Sequence, residues 1–467
     1  TPTLAERMSG VPAGEIERIA LELATAEGGV AYGRVGVSTH EFGSVCQWAV
    51  NLLNIVTGNL DREGGAMFGD PPIDFGRVVE MVGLGTYGKV RSRVGDLPEV
   101  LGSLPASVMA KEITTPGKGQ IRAMFFSAGN PVLSVPNGDE LEAAMAELEL
   151  SVAIDLYVTD TSRHCDFVLP ATTMYEREDF PLPFLALFTT PFVQMTEPVV
   201  EPRGEARQEW EVIEAIAGRI GVVPSSSWPL RQLGRLGIKL SPRRLLDVLL
   251  RTGPKGDRFG LRRGGLSIAE LERNPHGMVL AEHLAPDVLG GQIRNETKLV
   301  RLDPPEIAEE ARRLVSQNGD HPDFPLRLIG LRELRSHNSW MHNSELLMRG
   351  GRSHAARVHP DDAEACGIED SASCRISSAH GSIELPARVT DEVKRGTIAV
   401  PHGWGHRGGW RLAAAAGGAN VNLLSSSDPE DLERLAGMAF LNGIPVRLEP
   451  VGARRVDEPA TAVEAPA

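Results

Sequence analysis

Apolar residues recur every three to four positions in "AGEIERIALELATA" (13–26), placing Ile16, Ile19, Ala20 and Leu23 on one helical face. "GVAYGR" (29–34) predicts a buried strand, and the mostly apolar stretch 42–57, closed by Gly58, predicts a buried helix. After a Gly/Pro-rich excursion (64–119), "IRAMFFSAG" (121–129) reads as a strand ending in glycine. "DELEAAMAELE" (139–149) reads as a helix, "LSVAIDLY" (150–157) and "DFVLPA" (166–171) as strands, and "EARQEWEVIEAIAGRIG" (205–221) as another helix. Strands alternating with helices predict an α/β fold with a doubly wound, mostly parallel sheet. Ligands should then sit at the carboxyl ends of the strands, on the loops after Arg34, Ser127, Tyr157 and Ala171. From 222 to 320 the pattern loosens into short helices and irregular chain. From Leu326 the period changes to two, in "LRLIGLR", "SCRISSAHGSIELPARVT" and "GTIAVPHG", which predicts a β-barrel. The Pro/Ala-rich end, "VDEPATAVEAPA", predicts a disordered tail.

Composition narrows the function. The 467 residues carry 62 acidic against 48 basic side chains, a net charge of −14, which argues against a general nucleic-acid or anionic-membrane binder. Anion sites must therefore be local pockets of Arg, His and backbone N–H. No apolar run approaches the roughly 20 residues of a membrane helix, so no membrane insertion is expected. "TPTLAERMSG" has no signal-peptide pattern and no initiator Met, so the expectation is a chain that begins inside a longer protein. Cys46, Cys165, Cys366 and Cys374 form no C-x-x-C pair, which argues against a disulfide framework or a self-contained zinc or iron–sulfur site. Such thiols fit a reducing, cytoplasmic setting.

Several stretches concentrate chemistry. "FFSAGNP" (125–131) ends a strand in small residues, either an ordinary strand-to-helix turn or a place where a phosphate approaches backbone N–H groups. In "IDLYVTDTSRHCDFVLPATTMYERED" (154–179), Asp155 sits inside a strand, where a carboxylate can accept from ribose hydroxyls or a purine N–H edge. Asp160 fits either that role or a turn cap. "RSHNSWMHN" (335–343) packs His337 and His342 among amide and cationic donors, and "PHGWGH" (401–406) adds His402 and His406. The glycines around these last two keep them off a shared helical face, so a polar cradle built from Arg332, Arg335, His337, Ser339 and Asn343 fits better than a metal site. There is no Walker motif and no complete G-x-G-x-x-G after a strand, so an ordinary nucleoside triphosphate or NAD site is not supported.

The order of these motifs resembles the molybdopterin oxidoreductases, the bis-molybdopterin guanine dinucleotide superfamily that includes formate dehydrogenases and nitrate reductases. "YGRVGVSTHEFGSVCQWAVNLLNIVTGNLDREGGAMF" (32–68), "SAGNP", "AIDLYVTDTSRHCDFVLPATTMYERED", "EPRGEARQEWEVIEAIAGRIG" (201–221), "GLRELRSHNSWMHNSELLM", "VHPDDAEACGI" and "VPHGWGH" carry the likeness. The resemblance implies an α/β domain over 1–225, an irregular, helical connection over 226–320, and a six-stranded-type dinucleotide-binding β-barrel over 321–450, with 451–467 as tail. It implies molybdopterin guanine dinucleotide, with molybdenum or tungsten, as cofactor. Gly129, Asn130 and Pro131 would form a cofactor-contacting loop. Asp155 and Asp166 would lie on the nucleotide side with Thr159 beside them. Arg332, His337 and Ser339 would meet pterin and phosphates, and Asn422 would stand near a pterin. The iron–sulfur cysteines and the metal-ligand segment of the family have no counterpart here. An Fe–S cluster is thus expected only if a missing N-terminal segment supplies it, and no catalytic residue or protein metal ligand is assigned. The implied function is an oxidoreductase polypeptide acting on a small molecule with an electron-transfer partner. The alternative is a non-catalytic cofactor-binding fragment completed by another chain.

Overall fold

The computed structural model describes residues 1–225, 227–237, 241–293, 295–316 and 321–451. A two-stranded ribbon, β1 (Tyr87–Arg91) with β2 (Pro98–Val100), occupies the Gly/Pro-rich excursion. The apolar runs that follow build a parallel sheet in the order β3 (Ala123–Ser127), β4 (Leu150–Asp155), β5 (Phe167–Pro170). Two helices, Met109–Thr114 and Gly138–Met145, cover one face, where Ile113, Phe126, Leu141, Ala144, Met145 and Ala153 form a buried cluster. Burying such side chains contributes about 1.5–3 kcal/mol each and fixes which face of the sheet the helices take. On the opposite face the register aligns Phe125, Val152 and Phe167. There Phe125 and Phe167 stay 49% and 57% exposed, unusual for a parallel sheet, whose faces are normally both covered.

A short ribbon, β6 (Phe192–Val193) with β7 (Met278–Val279), lies in a satellite core with Ile73, Leu250, Leu266 and Leu271. Within it Arg243 pairs with Glu178, Glu197 and Glu272. The expected barrel follows. Strands β8 (Leu326–Leu331), β9 (Ala356–Val358), β10 (Ser373–Ser377), β11 (Ser382–Val389), β12 (Thr397–Pro401) and β13 (Asn442–Pro450) close in the order β10-β11-β9-β12-β8-β13. Period two is plain in β11, where Ile383, Leu385 and Ala387 are buried and Ser382, Glu384, Pro386 and Arg388 face out. Closure leaves no sheet edge to pair with another chain.

Two expectations fail in the first segment. Residues 29–34 form no strand: their place beside a neighbour is taken by Asn54, whose Oδ1 accepts from Ala31 N at 2.8 Å and whose Nδ2 donates to Ala31 O at 2.9 Å. A buried side-chain amide supplies both halves of a ladder step, so the backbone is satisfied without a partner strand. The helix Gly43–Val56 is present but only partly buried: Gly43, Val45 and Asn54 are inside, while Leu53 and Val56 stay 44% and 65% exposed. The expected tail lies outside the described residues, apart from Val451 at its start.

Candidate functional site at the sheet–barrel junction

The chain leaves β3 through Ala128, at φ 50, and enters a short helix, Pro131–Ser134, with Pro131 at its first turn. Ala128 N donates to Ile154 O at 3.0 Å, tying this turn to the end of β4. Gly129 and Asp155 therefore stand on adjacent loops at the carboxyl edge of the sheet. A Cβ built on Gly129 would meet nothing nearer than Ser127 O at 3.7 Å, so its backbone is open to a ligand. Among the described residues, the Asp155 carboxyl accepts only from the backbone N–H groups of Leu156 and Tyr157; burial, which outweighs these, pushes it up.

Asn130 has a different task. Its Oδ1 accepts from Thr161 N at 3.1 Å and Thr161 Oγ1 at 2.8 Å, and its Nδ2 donates to Asp160 at 3.1 Å. Asp160, 3% exposed, is where the barrel arrives. Its carboxylate accepts from Arg407 N, from Gly408 N at 2.8 Å and from His406 Nδ1 at 3.2 Å. Burial pushes Asp160 up, but the bonds from His406, the Arg407 amide and Asn130 together outweigh it, holding the carboxyl well below the ordinary range. An alanine at 408 would put its Cβ 2.5 Å from the Thr159 carbonyl carbon, so the two segments meet where only glycine fits.

From His406 a run of rings passes through the barrel loops. A carboxylate only accepts, so His406 Nδ1 carries the hydrogen, and Nε2 meets His342 Nδ1 at 3.4 Å. Burial, and then the neighbouring His406, push His342 down to about 4. His342 lies against the edge of Trp404, His354 stacks on Trp404, and Trp410 stacks on His406. His354 accepts from Ala419 N on Nδ1 and donates from Nε2 to Pro401 O at 2.8 Å, which fixes its tautomer. Trp404 Nε1 and Arg352 both donate to Glu333 Oε2, at 2.9 and 2.8 Å. Among the described residues, Trp410 Nε1 is buried with no acceptor, and the same ring lies 5.0 Å from that of Tyr157, two positions beyond Asp155.

The loop after β8 joins the same assembly. His402 N donates to Leu331 O and His402 Nε2 meets Asn338 Oδ1 at 3.1 Å, while Gly403, at φ +84, packs on the Asn338–Ser339 peptide. Burial, with Arg332 nearby, pushes His402 down. Arg332 and His337 are exposed and Ser339 is buried.

The structure thus sets the Gly129–Pro131 turn beside Asp155 and packs the loop that carries Arg332, His337 and Ser339 against loop 401–406, while three other candidates lie away from open positions. Asp166 belongs at the other end of the sheet: it bonds Ser151 N at 2.7 Å and Ser151 Oγ at 3.0 Å, about 13 Å of strand from Asp155. Being one residue before β5, it starts the strand whose far end carries the loop. Thr159 is spent on Ser162, at 3.1 Å between hydroxyls. Asn422 holds the barrel to the sheet domain, donating to Leu133 O at 2.9 Å. Sequence reasoning missed the pairing of His406 with both Asp160 and His342. The available signal was two histidines flanking tryptophan in glycine-framed loops.

The groups on these loops suit a phosphorylated heteroaromatic ligand: a half-buried carboxylate, Asp155, able to accept from a purine N–H edge, and an exposed guanidinium, Arg332, able to donate to phosphate. Residues 30–219 match the model of the Molybdopterin oxidoreductase family, and residues 326–439 that of the Molydopterin dinucleotide binding domain. Trimethylamine-N-oxide reductase of Haemophilus influenzae is 23% identical over 454 residues, covering 88% of this chain and 52% of that protein. The assimilatory nitrate reductase catalytic subunit of Bacillus subtilis is 25% identical over 301 residues, covering 61% and 38%. The solved acetylene hydratase from Pelobacter acetylenicus shares the fold with a TM-score of 0.68 at 19% identity, covering 96% of this chain and 64% of that one. The chain spans about half the length of the first of these curated relatives.

Proposed function

Starting from a chain that belongs to the molybdopterin oxidoreductases and carries their dinucleotide-binding barrel, we propose that the sheet–barrel junction holds molybdopterin guanine dinucleotide for an oxidoreductase acting on a small molecule. When bound, the molybdenum or tungsten of that cofactor supplies two-electron oxidation or oxygen-atom transfer, in a formate dehydrogenase-like or nitrate reductase-like reaction. This chain's part is to bind and orient. Asp155 accepts from the guanine N–H edge, the open backbone at Gly129 lets the ligand approach, and Arg332 and His337 donate to phosphate or pterin oxygens. The supporting observation is that Asp160 holds barrel loop 401–410 against the loops that carry Gly129 and Asp155.

The test is metal and nucleotide content. The purified chain should contain molybdenum or tungsten and release guanine nucleotide on acid denaturation. Arg332→Ala should lower both about tenfold or more, since a charge-assisted bond contributes about 1.5–3 kcal/mol. Unchanged content in that variant would refute the role of Arg332, and no metal or nucleotide in the unaltered chain would refute the reading itself. The exposed Phe125 and Phe167 favour a second reading, in which further polypeptide covers this sheet face and completes an enzyme with its electron-transfer groups. Dye-linked activity that appears only when that polypeptide is added would support it.

A further inference from the structure

The barrel has a second polar concavity. "SSAHGS" (377–382) forms the hairpin between β10 and β11, and the register aligns Ser382, Ser377 and Arg447 in one row across β11, β10 and β13. Residues directly opposite share a face, so these three side chains project outward together while Ile376 and Val446 point into the core. With Phe324, Ser378 and His380 they line a cavity of about 350 Å³. It lies beside Leu326, at the start of β8, whereas Arg332 follows the end of that strand, roughly 17 Å away.

The hydrogen bonds there are unevenly distributed. Ser378 Oγ is fully engaged, donating to Leu424 O at 2.9 Å and accepting from His380 N at 3.1 Å and Gly381 N at 3.3 Å, which makes the hairpin rigid. Ser377 is only 6% exposed, yet its Oγ is buried without a partner among the described residues. Arg447 Nε is likewise buried without a hydrogen bond; Glu449 Oε2 stands 3.2 Å away as an ion pair outside hydrogen-bond geometry. The remaining charges at the rim are His380 and, 3.9 Å from its Nε2, Asp431. A guanidinium has donors only, and a buried hydroxyl needs an acceptor to complete it. Both deficits are met by one kind of occupant, an anionic oxygen cluster, whereas a cation would face Arg447.

We propose that this cavity is a subsite for a small oxyanion of the phosphate or phosphate-monoester class, held by Arg447 and Ser377 Oγ. It is independent of the junction site, since it draws on none of the same residues. Ser377 Oγ, buried without a partner among the described residues, carries the cost of an unmade hydrogen bond, which a bound oxyanion would offset, while Arg447, beside Glu449, keeps N–H groups to donate.

Isothermal titration of the full purified chain with inorganic phosphate, and separately with glycerol 3-phosphate, tests this, with chloride at matched ionic strength as control. Saturable binding of one or both is expected, and the preferred arm identifies free phosphate or a monoester as the source. Arg447→Ala should weaken binding about ten- to a hundredfold, as loss of a charge-assisted bond implies, and Ser377→Ala should weaken it several-fold. Arg375→Ala removes the same charge two positions along β10, from a residue bound to Glu384, and should leave binding intact. Arg447→Lys, compared by circular dichroism, keeps the test meaningful if the alanine variant does not fold. Metal and guanine content should match wild type in every variant. The proposal is overturned if phosphate and glycerol 3-phosphate fail to saturate at millimolar concentrations, if Arg375→Ala weakens binding as much as Arg447→Ala, or if Arg447→Ala also empties the junction site.

Discussion

Replacing Asp160 by Asn changes almost no volume but removes the charge that joins sheet and barrel. In the native chain the carboxylate takes four donors: two backbone N–H groups of the barrel, one imidazole and one side-chain amide. At 3% exposure solvent can replace none of them. Each charge-assisted bond is worth about 1.5–3 kcal/mol, but the four share one acceptor and do not add, so breaking a buried pair at about 3–5 kcal/mol is the better guide. Urea unfolding followed by tryptophan fluorescence should show a loss of that size, because Trp404 and Trp410 report on this junction. Hydrogen exchange at the Arg407 and Gly408 amides should accelerate in step. The pH dependence has a definite sign. A carboxyl whose folded pKa is depressed stabilises above its unfolded value near 4 and loses that contribution as pH falls toward the folded value. The gap between wild type and Asp160→Asn should therefore be constant at neutral pH and shrink in acid below about pH 4. A difference under about 1 kcal/mol at pH 7, or amide exchange unchanged in the variant, would refute the view that Asp160 holds the two domains together.

Other perturbations follow from the same contacts. His342, pushed down to about 4, stays neutral in the fold while the unfolded chain takes up a proton below about 6.5, so stability falls as pH drops through that window, by roughly 3 kcal/mol from this group. His342→Gln should flatten that slope in unfolding titrations, and an unchanged slope would count against it. Gly403→Ala forces a side chain into φ +84 with its Cβ 2.4 Å from Asn338 O, so a loss of about 2 kcal/mol or more is expected in denaturant, with loop 335–343 exchanging faster.

Much of the architecture was legible locally. The alternation in "SIELPARV" predicts a strand with one buried face, and β11 has one. Apolar runs at 121–129 and 150–157 predict parallel strands, and the carboxyl edge they share carries Gly129 and Asp155. Other signals misled for physical reasons. "GVAYGR" has strand composition, but Asn54, more than twenty positions away, satisfies its backbone. Asp166 reads like Asp155, yet one starts a strand and the other ends one, so the sheet puts them at opposite edges.

What the amino-acid order determined by itself was periodicity, turn chemistry and the inventory of donors, because these depend on neighbours a few bonds away. The tertiary structure alone decided that Asp160 would meet His406 across 246 positions, that His342 would be buried beside it, and that Ser377 would align with Arg447. Those pairings depend on the sheet and barrel closing against each other, and burial there sets the charge and hydrogen-bond state of each group. Local composition carries no record of either.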